Sequence, residues 1–403
     1  MRLPNILWAY ILAVSTFQLG NVVRIPFADG PRVPKFEFVR DPNQNLGGYL
    51  SNGLWKSQIQ MTKSTISQMS MVRAGRELGN SLRTALGQRI DWVIWGGREP
   101  LMLFPSIDLW VSRGPSSSVN ADLQRAARAI SDYRNVLQRE GWTLVVVPVP
   151  TKIGIHRELA RWPILDSNLV TLESIQFDKS DDTYARFGDN LSERNVNWID
   201  LQTRFRQAVV QEPGDLLYAT NDSHWSGKGI QIAAIATAEK ISSLSKLDFH
   251  VVSTPTYYEL EHHGDLVGAY ELFPTLTTWL TPAWLFHERL VNGEEGVGYQ
   301  YPTNPDGLVV VVGTSFTGQY TWVLQQPVGF SWQIGLHLAN VEVQNRPIAG
   351  KGSFFPFHEF LSHRNEILSE FISRCGKKSP PHIVIWEFPI RDLRAIAPPS
   401  LGG

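Results

Sequence analysis

Leu308-Val309-Val310-Val311-Val312-Gly313-Thr314-Ser315-Phe316-Thr317-Gly318 is the stretch that decides the fold. An unbroken apolar, β-branched run has no polar side to offer water, so it belongs in a strand covered on both faces, the condition of a parallel sheet between helices. The run stops at Gly313-Thr314-Ser315, where a strand passes into a helix. In open α/β sheets reactive groups collect just beyond such carboxyl ends, where loops turn into helices and backbone N–H groups point outward. A serine there has an exposed hydroxyl, and its own N–H can stabilise an oxyanion. The alternative is a serine that only caps the helix after it.

Working outward, the same alternation recurs. Thr143-Leu144-Val145-Val146-Val147-Pro148-Val149 is a second buried strand, and shorter strands are expected at Val196–Leu201, Val341-Glu342-Val343 and His382–Trp386. Helical spacing appears over Ser64–Leu86. It returns from an Asn120 cap through Leu123, Ala127, Ile130, Tyr133 and Leu137 to a stop at Gly141. Further helices are expected at Thr203–Val210, Gly227–Leu244, near Tyr320 and over Pro356–Arg374. Parallel neighbours need crossover connections, so the fold class is α/β, a parallel sheet flanked by helices. No internal repeat or low-complexity tract interrupts it.

A serine hydroxyl needs a base, and the base a carboxylate to fix its tautomer. Asn221-Asp222-Ser223-His224-Trp225 supplies both, two residues apart, in a loop before a helix opening near Ser226. Two residues at i and i+2 in a non-helical loop can turn to one site. From spacing alone, Asp222 as a helix cap or turn residue and His224 as a surface histidine stand as alternatives.

These motifs resemble those of the SGNH-hydrolase-like acetyltransferases that O-acetylate exopolysaccharides, of which the alginate acetyltransferases of the J and X type are familiar members. Asp222-Ser223-His224-Trp225 is similar to the family's Asp-x-His-Trp signature. Gly313-Thr314-Ser315-Phe316-Thr317 is similar to its nucleophile block. Gly264-Asp265-Leu266-Val267 resembles its Gly-Asp-Leu segment, and Val384-Ile385-Trp386-Glu387 its closing strand. Upstream, Gly97-Arg98-Glu99 through Leu103-Phe104-Pro105, and Val147-Pro148-Val149-Pro150-Thr151-Lys152, look like two more of its stretches. The resemblance runs in family order over roughly residues 60 to 395. It implies an SGNH-like fold and a triad of Ser315, His224 and Asp222. It also implies a membrane-bound O-acyltransferase partner that hands over acetyl groups. The chain departs from the pattern at Thr314, where common SGNH blocks have Asp, and at Met102, where Trp is usual. Arg346 and Tyr320 are candidates for the second oxyanion donor, and Trp225 and Lys152 for substrate contact.

The 403 residues carry 37 Lys and Arg against 38 Asp and Glu, so no global basic field holds nucleic acid. A single cysteine, Cys375, excludes an intramolecular disulfide and a Cys-rich zinc site, and reads as a small buried hydrophobe near a helix end. His262-His263 lacks a third ligand at useful spacing and reads as a surface turn, so neither metal nor cofactor is expected. Fourteen tryptophans lean toward carbohydrate, since indole faces stack on sugar rings.

Between Arg2 and Arg24 the chain has no formal charge, a length that can cross a bilayer core. An uncleaved anchor is favoured over a cleaved signal peptide, with a buried helix as the remaining alternative. Arg2 on the short flank puts the rest of the chain outside the cytoplasm. The expected organisation is an anchor or signal at 1–25, a linker at 26–60 and a domain at 61–398, held at the periplasmic face of the inner membrane or free in the periplasm if cleaved. The expected chemistry is ping-pong transfer of an acetyl group through acyl-Ser315 to the hydroxyls of an exported polysaccharide. A carbohydrate acetyl-esterase with the same triad and a non-catalytic polysaccharide-binding scaffold are the competing readings.

Overall fold

The computed structural model describes residues 93–95, 101–103, 117–156, 177–219, 222–253, 255–262, 286–294, 297–298, 302–324, 328–348, 354–376 and 380–396, all within one compact unit, Asn80–Gly403. The expected anchor, linker and Ser64–Leu86 helix, together with Gly264–Val267, lie outside the described residues. Among the described residues, no helix is long and apolar enough to cross a membrane.

Five strands form a parallel sheet in the order β4-β3-β10-β8-β9: β3 (Trp142–Val149), β4 (Asn197–Trp198), β8 (Gly307–Gly313), β9 (Val341–Pro347) and β10 (His382–Pro389). Side chains of a strand alternate between faces, and here both faces are apolar. Val145, Val147, Val309, Val311, Ile383 and Ile385 join one core cluster. Leu144, Val146, Val310, Val312, Val384 and Trp386 join the other. That is the physical content of the unbroken valine run.

Helices cover each face. Helices α4 (Leu201–Gln211), α5 (Gly227–Ser245) and α7 (Phe330–His337) contribute Phe205, Ile230, Ala234 and Ile334 to the first cluster. On the second face lie α1 (Ser117–Arg139), α3 (Phe177–Glu193) and α8 (Phe354–Cys375), with Tyr133, Phe187 and Phe357. Phe357 stacks on Trp386 with ring centroids 4.0 Å apart and planes within 6°. Truncating such a buried aromatic costs about 3–5 kcal/mol.

Several elements differ from expectation for local reasons. Helix α1 starts at Ser117, and Asn120 lies inside it, accepting from Arg186 Nη1 at 3.2 Å instead of capping. The chain does stop at Gly141, whose φ of 83° suits a residue without Cβ. The strand expected at Val196–Leu201 is only Asn197–Trp198, because Asp200 accepts from Thr203 N at 3.0 Å and opens α4 two residues early. Strands β9 and β10 run further than their apolar cores, to Pro347 and Pro389. Helices α3 and α7 were not expected, nor was an antiparallel sheet of β5 (Pro255–His262), β6 (Phe286–Glu294) and β7 (Val297–Gly298). His262 is the last residue of β5, paired with Phe286, and not in a turn. A further pair, β1 (Val93–Trp95) with β2 (Leu101–Leu103), is antiparallel. Cys375 ends α8, half-buried and free, its thiol donating to the Phe371 carbonyl.

Candidate active site

Strand β8 ends at Gly313, and α6 (Ser315–Leu324) begins two residues on, so Ser315 opens a helix at the carboxyl end of an inner strand. The turn is tied locally: Thr317 N donates to the Thr314 carbonyl at 3.2 Å, and Phe316 N to Thr314 Oγ1 at 3.3 Å. The first N–H groups of a helix have no intrahelical acceptor, which leaves that of Ser315 suited to an anion. Gly313 is required for steric reasons, since a Cβ there would lie 2.5 Å from Glu387 Oε2 and press into Thr317 Oγ1.

The second segment is a loop closed at its base by an isolated bridge, Tyr218 with Trp225, and followed by α5. Ser226 caps α5 by accepting from Gly229 N at 3.2 Å and donates to the Leu216 carbonyl at 2.6 Å. Inside the loop, Ala219 N donates to the His224 carbonyl at 3.2 Å and Asp222 N to the Ala219 carbonyl at 3.3 Å. Asp222 turns back on the residue two ahead: its Oδ1 accepts from His224 N at 3.0 Å and lies 2.6 Å from His224 Nδ1. With Nδ1 so engaged, His224 Nε2 faces Ser315 Oγ at 2.7 Å. Asp222 is 0% and His224 5% exposed, while Ser315 is half-buried.

Hydroxyl, imidazole and carboxylate thus stand in line over contacts of 2.7 and 2.6 Å. Such a line lets an imidazole take the hydroxyl proton while the carboxylate fixes the tautomer and stabilises the imidazolium. The capping reading of Asp222 and the surface reading of His224 do not fit this placement, because Ser226 caps α5 and His224 is buried.

The other expected site residues are placed differently. Trp225 is fully buried, donates from Nε1 to the Phe316 carbonyl at 2.9 Å and packs edge-on against the Phe316 ring. Tyr320 is also buried, and its hydroxyl donates to the Trp225 carbonyl at 3.0 Å. Both lock the two segments together instead of facing substrate. Lys152 opens the short helix α2 (Lys152–Ile155), buried, with Nζ donating to the carbonyls of Ala219 at 2.6 Å and Asp222 at 3.3 Å. It braces the loop that carries Asp222 and His224. Arg346 is exposed near the end of β9, in register with Val312, and donates to Gln344 Oε1 at 3.4 Å. That hydrogen bond does not bring it to Ser315.

Three residues at the site have no role assigned from the sequence, although Glu387 lies in the Val384–Glu387 stretch. Gln319, one turn beyond Ser315 on α6, donates from Nε2 to Asp222 Oδ2 at 2.8 Å. Its i+4 spacing from the serine was an available signal. Glu387, on β10, is fully buried and accepts from Thr314 N at 2.8 Å and Thr317 Oγ1 at 2.9 Å. Burial pushes its carboxyl up to about 7, against the lowering effect of those donors. Arg391, in the 3-10 turn Ile390–Ala395, lays its guanidinium 5.4 Å from the Phe316 ring centroid. Among the described residues, no group of His, Cys, Asp or Glu could hold a metal ion.

Comparison with known proteins adds to this geometry. Residues 103–390 match the family described as the SGNH hydrolase-like domain of acetyltransferase AlgX. A probable alginate O-acetylase AlgJ of Pseudomonas putida is 26% identical over 288 residues, 69% of this chain and 66% of that protein. The corresponding Azotobacter vinelandii protein is 24% identical over 331 residues, 79% of this chain and 75% of its own length. The chain therefore spans about two-thirds to three-quarters of these two relatives. Among solved structures, the O-acetyltransferase domain of Pseudomonas putida AlgJ is similar in fold, with a TM-score of 0.52 at 21% identity, covering 77% of this chain and 95% of that one.

Proposed function

We propose, on the premise that this chain belongs to the SGNH hydrolase-like acetyltransferase family of the AlgX domain, that it is a polysaccharide O-acetyltransferase working through an acetyl-serine at Ser315. The observation that carries the reading is the pair of contacts at His224: Nε2 to Ser315 Oγ at 2.7 Å and Nδ1 to Asp222 Oδ1 at 2.6 Å.

In the first half-reaction His224 takes the Ser315 proton as Oγ attacks the carbonyl carbon of an acetyl donor. The tetrahedral oxyanion points at the N–H groups opening α6. As it collapses, the bond to the donor's leaving group breaks, and the imidazolium returns its proton to that group. In the second half, neutral His224 takes the proton of a sugar hydroxyl, which attacks the acetyl-serine carbonyl; Ser315 leaves and is reprotonated. Asp222 keeps Nδ1 protonated throughout and stabilises the imidazolium. No redox partner or cofactor enters this balance.

Water competes with the sugar hydroxyl in the second step. Effective concentration from a held acceptor decides between them, and it supplies several kcal/mol. The acceptor is taken to be an exported polysaccharide because the relatives are named alginate O-acetylases. The resemblance implies a membrane-bound O-acyltransferase as the supplier of the acetyl group, and the uncharged stretch between Arg2 and Arg24 supports an anchor at 1–25 at the periplasmic face of the inner membrane, or a periplasmic domain if that segment is cleaved.

The test is incubation of the purified chain with a chromogenic acetyl ester and an oligosaccharide panel, followed by mass measurement of both protein and sugar. Acetylated sugar, with a transient gain of one acetyl group on the protein that Ser315→Ala abolishes, is the expected result. Free acetate alone would replace the reading with an esterase. Sugar retention without turnover would replace it with a binding scaffold, and an acetyl adduct undiminished in Ser315→Ala would exclude that serine.

A further inference from the structure

Behind the nucleophile lies a second buried carboxylate that the reaction above does not use. Glu387 sits near the carboxyl end of β10, the neighbour of β8, with Trp386 before it paired to Val312. Its side chain is 0% exposed. Every hydrogen bond the structure gives it comes from the turn around Ser315. Thr314 N donates to Oε2 at 2.8 Å, Thr314 Oγ1 reaches both carboxylate oxygens at 3.1 Å, and Thr317 Oγ1 donates to Oε2 at 2.9 Å. Thr314 and Thr317 flank the serine on either side, and Thr314 Oγ1 in turn accepts from Phe316 N at 3.3 Å. Gly313 leaves the space the carboxylate fills.

A carboxylate taken out of water is costly and is retained only where its oxygens are matched by donors. Here the donors all belong to the segment that must hold Ser315 Oγ 2.7 Å from His224 Nε2. An apolar residue of similar volume would satisfy the core but leave Thr314 N and two hydroxyls without acceptors.

We propose that Glu387 is a positioning residue: through Thr314 and Thr317 its carboxylate fixes the turn that presents Ser315 to His224. The inference rests on the acetyl-serine reading of the site. Around Glu387, His224 stands on one side with Asp222 behind it, and Tyr218 and Arg391 are near enough for Tyr218 to feel both Arg391 and Glu387. Lys152 braces the His224 loop from below through the Ala219 and Asp222 carbonyls. Because burial holds the Glu387 carboxyl up near 7, the turn has its full set of acceptors only as pH rises through neutrality.

The test compares the wild-type chain with Glu387→Gln, Thr317→Val and Thr317→Ser, reading single-turnover acetylation of Ser315 by a chromogenic acetyl ester from pH 5 to 9. Glu387→Gln keeps the volume but loses the charge. The expected result is a fall of about tenfold or more in the acylation rate constant, with the ester KM within about twofold, since a bond to a charged group is being lost. The acid side of its pH profile should lose one of the ionisations present in the wild type. Thr317→Val should slow acylation by several-fold, and Thr317→Ser, which restores the hydroxyl, should recover it. An unchanged rate in both Glu387→Gln and Thr317→Val overturns the proposal. If Glu387→Gln fails to melt cooperatively, the Thr317 pair decides alone, and equal rates for Val and Ser overturn it. Absence of acetylation in the wild type would instead sink the acetyl-serine reading.

Discussion

Gln319 Nε2 donates to Asp222 Oδ2 across 2.8 Å, so the helix that begins with Ser315 reaches back, one turn later, to the acid that orients the histidine. The site is therefore a closed ring: Ser315 to His224, His224 to Asp222, Asp222 to Gln319, and Gln319 to Ser315 through α6. The two segments, more than ninety positions apart in sequence, are set against each other by a polar contact as well as by the Trp225 and Phe316 packing.

Gln319→Leu opens that ring while filling the same space. One oxygen of a buried carboxylate loses a donor, a loss of about 1.5–3 kcal/mol for a charge-assisted bond. We expect the acylation rate constant to drop by about tenfold or more with donor KM little changed. Stopped-flow release of the chromogenic leaving group checks it.

Asp222→Asn tests the tautomer. An amide at 2.6 Å from Nδ1 can offer a hydrogen there instead of accepting one, which turns the proton of His224 toward Ser315. By analogy with serine-histidine-aspartate triads generally, the loss should be on the order of 10⁴ in turnover. Near-ultraviolet circular dichroism should stay as in the wild type.

Lys152→Met keeps the length of a buried side chain but removes the ammonium that holds the Ala219 and Asp222 carbonyls. The Ala219 carbonyl keeps Asp222 N, but losing one donor to these buried carbonyls costs about 1–3 kcal/mol. A lower melting temperature should accompany a fall in activity, measured together by scanning calorimetry and ester turnover. A side chain meant only to contact substrate would leave the melting temperature where it was.

Glu387 makes stability depend on pH with a definite sign. Its carboxyl is raised from the ordinary range to about 7 by burial. Between the ordinary value and about 7 the unfolded chain has lost this proton while the native protein keeps it, so raising pH through that window destabilises the fold, by on the order of 3 kcal/mol in all. Glu387→Gln lacks the effect. Its unfolding free energy relative to the wild type should rise from pH 5 to pH 8, as urea titrations at the two pH values will read.

Much of this was legible in one dimension. The valine runs of β3 and β8 announced strands buried on two faces, and Asp222, His224 and Ser315 stood at loop-to-helix junctions where such chemistry gathers. Apart from Gln319, the rest has little local signal. Helix α3 is rich in Asp, and among its described side chains Tyr184, Phe187 and Leu191 join the core. The β5–β6 hairpin mixes Tyr257 and Glu259 with Leu260 and exposes Tyr257 beneath the Arg289 guanidinium, so its apolar pattern is weak. The importance of Glu387 depends on a pairing of distant strands, and a lone glutamate after Trp386 does not disclose it. Trp225, Tyr320 and Lys152 were noticed for the right neighbourhood. Their side chains point to backbone carbonyls because each fills a buried gap between elements.

The place of β10 has a kinetic consequence. This strand lies in the middle of the sheet, hydrogen-bonded to both β3 and β8, yet His382 meets Trp142 across about 240 residues of chain. Until it arrives, β3 and β8 have open inner edges rich in valine, the kind of surface that captures other chains. Loop closure over such a span is slow. A folding chain of this protein should therefore lean on chaperones for as long as the central slot stays empty.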